Sequence, residues 1–156
     1  MMTDNLPVPR VRPIAICLFQ WNDKILVFEG FDSVKQSHYY RPLGGGIEFG
    51  ERATDTIRRE IREEINQDAI DLNLLGVMEN IFDCEGRRGH EIVFVFDGHL
   101  RDESVYGAHL TMREPDSATS PASWRGIDSF HHGHQLVPEG LIELLHRPSI
   151  QNTNRI

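Results

Sequence analysis

From Gly44 to Gln67 the chain reads G-G-G-I-E-F-G-E-R-A-T-D-T-I-R-R-E-I-R-E-E-I-N-Q, and this stretch constrains the fold more than any other. Three glycines open it, and a charged segment with helical spacing follows. Advancing about 100° per residue from Ala53 puts Ala53, Ile57, Ile61 and Ile65 in one arc roughly 120° wide, the face that buries. Arg52, Asp55, Arg58, Arg59 and Arg62 fall on the opposite, solvated side. The glutamates follow neither rule. Glu60 lies at the border of the apolar arc, Glu64 inside it, and Glu63 just beyond Glu60. Like charges at i, i+3 and i+4 repel on one side of a helix. A carboxylate turned toward a core has to be paired, protonated or bound to a metal.

An ordinary surface helix would answer these acids with arginines at i,i+4. Here Arg58 and Arg62 project away from the Glu60–Glu64 edge, so that pairing is poor. The spacing instead favours a cluster of hard oxygens suited to Mg²⁺ or Mn²⁺.

The same residues carry a resemblance. Gly45, five residues, Glu51, seven residues, then Arg59-Glu60-Ile61-Arg62-Glu63-Glu64 resembles the Nudix box of the MutT/Nudix pyrophosphohydrolases, G-x5-E-x7-R-E-U-x-E-E-x-G-U, with U a bulky aliphatic residue. All the charged positions are present at the right distances. Two positions depart from the pattern: Asn66 replaces a glycine and Gln67 an aliphatic residue. Asn is the non-glycine residue best able to end a helix in the left-handed conformation, so the first departure is mild. The second bears on local packing after the helix and leaves the acids untouched.

With 156 residues the expectation is a single domain over 1–156 with one substantial core and flexible tails at 1–9 and 148–156. A formal net charge of -8 argues against coating duplex nucleic acid or a membrane surface. An acidic protein that handles phosphates needs a cation between itself and its substrate. Two cysteines, Cys17 and Cys84, make neither a disulfide framework nor a zinc pattern. The longest apolar run, Ile14 to Phe19, is too short to span a bilayer, and the N-terminus lacks a basic-then-apolar signal. A cytoplasmic protein is expected.

Along the chain, Val11 to Gln20 reads as a central strand, apolar on both faces. Asn22-Asp23 turns into a second strand, Lys24 to Glu29, followed by a polar loop over Gly30 to Ser37. His38-Tyr39-Tyr40-Arg41 then leads into the glycines. Leu72 to Phe82 and His90 to Leu100 read as a hairpin joined by Asp83 to Gly89. A strand is possible over His109 to Arg113, a last one runs from Ser123 to Ile127, and a short helix starts at Val137-Pro138-Glu139-Gly140 with Leu141, Ile142, Leu144 and Leu145 as its buried side. A sheet covered on both sides by few helices implies an α/β/α sandwich, class α/β. The resemblance implies the same, the Nudix fold with its mixed β-sheet.

The chemistry the resemblance implies is hydrolysis of a diphosphate bond in a nucleoside diphosphate linked to another moiety, a small molecule, with Mg²⁺ or Mn²⁺ as cofactor. Carried over by position, Glu60 and Glu64 are metal ligands, Glu63 is a third ligand or the base, and the Gly44 carbonyl is a further ligand. Arg59 orients the acids through charge-assisted bonds, with Glu51 its partner. Glu48 reads as a solvated acid. Gly45 and Gly46 let the backbone approach metal and phosphate without side-chain obstruction. Arg41 either reaches a phosphate or pairs with a box carboxylate. Tyr40 and Tyr39 either stack on a nucleobase or pack beside the strand. The family recruits one more acid or His from outside the box, for which Glu91 and then Glu114 are the candidates. Arg87 and Arg88 read as solvated arginines that attract phosphates at most, and His131-His132-Gly133-His134 as a loop lining the cleft, its spacing suiting no zinc motif.

Secondary signatures of the ADP-ribose, dinucleoside polyphosphate, NADH and coenzyme A subgroups are all missing, which leaves the substrate open. Two other classes share the fold. A nucleotide-sensing regulatory module has a degraded box and an added DNA-binding domain, unlike this chain. The isopentenyl-diphosphate isomerase branch needs a catalytic cysteine near the box, for which neither Cys17 nor Cys84 is an obvious equivalent. Homodimers are common in the family.

Overall fold

A computed structural model describes residues 8–113 and 119–146. The tails expected at 1–9 and 148–156 fall, apart from residues 8 and 9, outside the described residues, as does Glu114. Strand β1 (Arg12–Trp21) is followed by β2 (Lys24–Asp32), β3 (Ser37–Gly46), helix α1 (Ala53–Ile65), β4 (Ala69–Cys84), β5 (Arg87–Leu100), β6 (Leu110–Arg113), β7 (Thr119–Gly126) and helix α2 (Leu141–Leu145). Among the described residues these strands form a seven-stranded sheet in the order β4-β5-β1-β3-β2-β7-β6. β1 and β5 run parallel and the other neighbours antiparallel, so the sheet is mixed.

The two-faced apolar pattern of β1 is explained by what covers it. Ala15, Cys17 and Phe19 face a layer built with Ile57, Ile61 and Ile65 of α1. Ile14, Ile16 and Leu18 face the other layer, with Val93, Val95, Leu141 and Leu144. Ile57 and Ile61 are fully buried, each contributing on the order of 2 kcal/mol by apolar transfer, and this pins the rotation of α1 about its axis. With that rotation fixed, the acidic edge has one place to go.

The helix ends where Asn66 takes a left-handed conformation, φ 54° and ψ 43°. Its N–H donates to the Arg62 carbonyl at 3.1 Å, and the Gln67 N–H reaches the Ile61 carbonyl at 3.4 Å, closing the orphan carbonyls of the last turn. Among the described residues no helix is long and apolar enough to cross a membrane.

Two connections are shorter than the sequence suggests. The loop expected over Gly30 to Ser37 is a hairpin whose turn spans only residues 33–36. The buried Asp32 carboxylate accepts from the Val34, Lys35 and Glu85 N–H groups at 3.0, 2.9 and 3.2 Å, which closes the turn and lets polar Ser37 and His38 join the ladder. These N–H groups, that of Lys35 first, hold the Asp32 carboxyl below its usual range. The connection expected over Asp83 to Gly89 is a two-residue turn, with Glu85 and Gly86 at φ 52° and 70° between the paired residues Cys84 and Arg87. Here charge and glycine content suggested a loop where cross-strand pairing continues.

Candidate active site

The site grows from the close packing of β3 under α1. Gly44 has φ 141°, and a Cβ there would lie 2.1 Å from the Ala15 carbonyl oxygen of the neighbouring strand. A Cβ on Gly45 would lie 2.4 Å from the Glu60 carboxylate. Only bare backbone at these positions lets the helix acids come down onto the strand.

Arg59 gathers the acids. Its Nε and Nη2 donate to the two Glu51 carboxylate oxygens at 2.8 and 3.0 Å, a bidentate pairing, and Nη2 also donates to the Gly46 carbonyl at 3.0 Å. Its Nη1 donates to Glu60 Oε1 at 2.8 Å and to Glu63 Oε2 at 3.4 Å. Glu51 receives further bonds from the Thr56 hydroxyl at 2.7 Å and the Glu48 N–H at 3.1 Å. Arg59 is the main reason that the Glu51 carboxyl is lowered to about 2, and the same bond raises the guanidinium's own value. Glu48 is exposed.

The remaining acids are graded in freedom. Glu60 is mostly buried, Glu64 is half-buried and accepts from the Gly44 N–H at 3.3 Å, and the Glu63 side chain is 60% exposed. Glu63 and Glu64 open on a cleft shared with Thr111, Arg113 and Thr119 of β6 and β7. The carboxylates of Glu51, Glu60 and Glu63 are gathered on the single guanidinium of Arg59, an excess of two negative charges, and Glu64 adds another on the Gly44 N–H. Among the described residues no three acids, histidines or cysteines converge on one point by themselves. The donor set nevertheless fits a hard divalent cation, since it is made of carboxylate oxygens, carries that charge excess, and sits over glycines whose missing Cβ atoms leave it room.

Other residues singled out in the sequence have different places. Tyr40 is 6% exposed, with the Arg125 guanidinium 4.9 Å and the His134 ring 5.1 Å from its own ring. Its ring is core, and the expectation that it offers a stacking face to a base is corrected on that ground. Tyr39 lines a cleft instead. Arg41 pairs with Glu91, Nη2 to Oε2 at 3.9 Å, and both line that same cleft. The Gly46 carbonyl is occupied by Arg59, which makes Gly46 part of the support. Arg87, Arg88, His131 and His132 are exposed, and the cleft is lined by Gln135, Val137 and Pro138 in place of the histidines. Cys17 is fully buried, and burial followed by the charge of Asp97 raises its thiol well above the ordinary value, which suits a core residue and not a reactive one.

Two contributors carry little or no signal in the sequence. Thr56 is fully buried and bonds Glu51; its signal was its position on the apolar arc of α1, three residues after Ala53. Arg113 and its neighbours on β6 and β7 carry no local signal, because only the sheet order brings them to the end of α1.

The NUDIX domain family matches residues 9–145. Curated sequences give no match. Among solved structures, a NUDIX hydrolase from Nitrosomonas europaea aligns over 94% of this chain and 98% of its own, with a TM-score of 0.64 and 19% identity. The mMutator MutT protein from Bacillus halodurans aligns over 87% and 83%, with a TM-score of 0.64 and 18% identity. A MutT NUDIX hydrolase from Burkholderia pseudomallei aligns over 76% and 85%, with a TM-score of 0.57 and 20% identity. At such identities the structural likeness is one of fold.

Proposed function

Because the chain belongs to the Nudix family of hydrolases, we propose that it is a metal-dependent pyrophosphohydrolase cleaving the diphosphate bond of a nucleoside diphosphate linked to another moiety. The observation that carries this reading is the approach of Glu60 to the Gly45 backbone, with Arg59 holding Glu51, Glu60 and Glu63 around it.

Glu60, Glu64 and the Gly44 carbonyl would hold Mg²⁺ or Mn²⁺. When bound, the ion supplies positive charge that neutralises the diphosphate oxygens and makes water more acidic. The residues of the chain do the rest. Glu51 anchors two arms of Arg59, so the third arm holds Glu60 and Glu63 in fixed relation. Water attacks one phosphorus in line, the bridging P–O bond breaks, and the leaving phosphate departs with that electron pair. The attacking water's proton passes to Glu63, the most exposed of the helix acids and the one held at the longest distance by Arg59. The glycines of β3 keep the approach of the phosphates free of side chains.

Glu64→Gln keeps the shape and removes the charge. Release of the nucleoside monophosphate and the phosphorylated second moiety from a panel of nucleoside diphosphate derivatives should fall at least about 100-fold, isothermal titration of Mn²⁺ should show weakened binding, and the thermal midpoint should hold. Turnover at the wild-type rate would refute the assignment.

A further inference from the structure

The cleft outside the acid cluster has a chemistry of its own. It lies between the tips of two hairpins, β2–β3 and β4–β5, and is closed by the segment around Pro138, with a volume of about 200 Å³. The tips are tied together: the Ser33 N–H and hydroxyl donate to the two Glu85 oxygens at 2.6 and 2.5 Å, and Lys35 Nζ donates to the Asp83 carbonyl. The walls are therefore preformed. Tyr39, Phe82 and Pro138 offer flat or apolar surface, while Glu91 and Arg41 supply charge.

Glu91 is the unusual member. It is only 4% exposed, and its ion pair with Arg41 spans 3.9 Å, longer than a hydrogen bond. A carboxylate with so little exposed surface and so loose an ion pair keeps acceptor capacity that a ligand in the cleft can use. Its two oxygens, side by side, match a partner with two adjacent N–H groups. Among the common nucleobases only guanine has such an edge, with N1–H beside the N2 amino group. Adenine and cytosine set a ring-nitrogen lone pair beside their amino group, and uracil flanks its one N–H with two carbonyls, so each turns a lone pair toward the carboxylate. Guanine's O6 lies next to N1 on the same edge and needs a donor, which Arg41, beside Glu91, supplies. The 3.9 Å gap leaves the two side chains free to take neighbouring atoms of one base. Arg41 also stands on β3 three residues before Gly44, so this strand leads from the cleft to the glycines of the acid cluster.

We propose that this cleft binds the base of the substrate and selects guanine, with Glu91 accepting from N1–H and N2–H and Arg41 donating to O6. The proposal rests on the nucleotide reading given above and narrows it to guanosine diphosphate derivatives.

Equilibrium titration of the full chain with GDP, IDP and ADP in Ca²⁺, a hard divalent cation that offsets the charge of the acid cluster, tests it through binding and not turnover. IDP carries the same base edge without the N2 amino group, so GDP should bind about 10- to 100-fold more tightly than IDP, and ADP should be weaker than GDP by at least as much. Glu91→Gln should erase the GDP–IDP difference. Arg41→Met should weaken both equally and keep their ratio. Equal affinity of the wild type for GDP and IDP, absence of binding by any of the three, or retention of the GDP preference in Glu91→Gln would overturn the proposal. The wild-type ratio alone decides if a variant fails to fold. Turnover is read separately: hydrolysis of adenosine and guanosine derivatives at equal rates sinks guanine selection and keeps the hydrolase, whereas GDP-selective binding without any hydrolysis does the reverse.

Discussion

Replacing Gly45 with alanine separates the chemistry of the site from the stability of the fold. The added Cβ would lie 2.4 Å from the Glu60 carboxylate, where ordinary contacts begin at 3.4 Å, so the carboxylate has to retreat by about 1 Å. Glu60 is the end of a flexible side chain, and Arg59 keeps both bonds to Glu51 when Glu60 moves. The conformational cost is therefore small, within about 1 kcal/mol, and is partly offset by the lower entropy of an unfolded chain with alanine in place of glycine. A displacement of that size at a reacting centre costs on the order of 100-fold in rate. Gly44→Ala is the control. Its Cβ would meet the Ala15 carbonyl oxygen at 2.1 Å, a backbone atom that cannot swing away, and its φ of 141° is unsuited to any side chain. Strain and overpacking there should cost roughly 2–5 kcal/mol. Urea denaturation gives the stability of each variant, and nucleoside monophosphate formation at saturating Mg²⁺ gives kcat. A Gly45→Ala protein with unchanged kcat, or one as destabilised as Gly44→Ala, would show that Glu60 does not work against the strand.

Two further outcomes follow from the same framework. The bonds from Arg59 lower the Glu51 carboxyl to about 2 from an ordinary value of 4.5, so its contribution, on the order of 3 kcal/mol, is full above about pH 4.5 and is lost as pH falls toward 2. Denaturation of wild type and Glu51→Gln between pH 6 and pH 3 should show a shallower acid loss in the variant, and parallel curves would refute the pairing with Arg59 as its source. Asn66→Gly should stabilise the protein by roughly 0.5–1 kcal/mol, because φ 54° carries a side-chain penalty that glycine avoids, and a loss of stability in urea would mean that the asparagine side chain does more than end the helix.

The parts of this molecule legible in the sequence are those written in local periodicity. The arc of Ile57, Ile61 and Ile65 fixed how α1 sits on the sheet, and the acidic edge followed from that rotation. The same logic made β1 a central strand, since Ile14 and Ala15 could not both be buried unless two layers covered it. The extent of β2, β3 and β4 was not legible, because their outer residues are polar and were extended by a distant event, the Asp32 carboxylate receiving N–H groups from its own turn and from Glu85, 53 residues away. Tyr39 and Tyr40 show the limit most sharply. Adjacent and chemically alike, they are separated by strand alternation, and only the positions of Arg125, His134 and the 135–139 segment decide that Tyr40 is enclosed while Tyr39 faces the cleft. Glu91 belongs to the same class. Its strand could be read, but its loose pairing with Arg41 arises because two hairpins far apart in the chain meet at their tips, a consequence of sheet order that no local spacing encodes. An acid cluster built on one helix and one strand is thus recoverable from a single segment, whereas a cleft assembled between hairpins is recoverable only from the folded sheet.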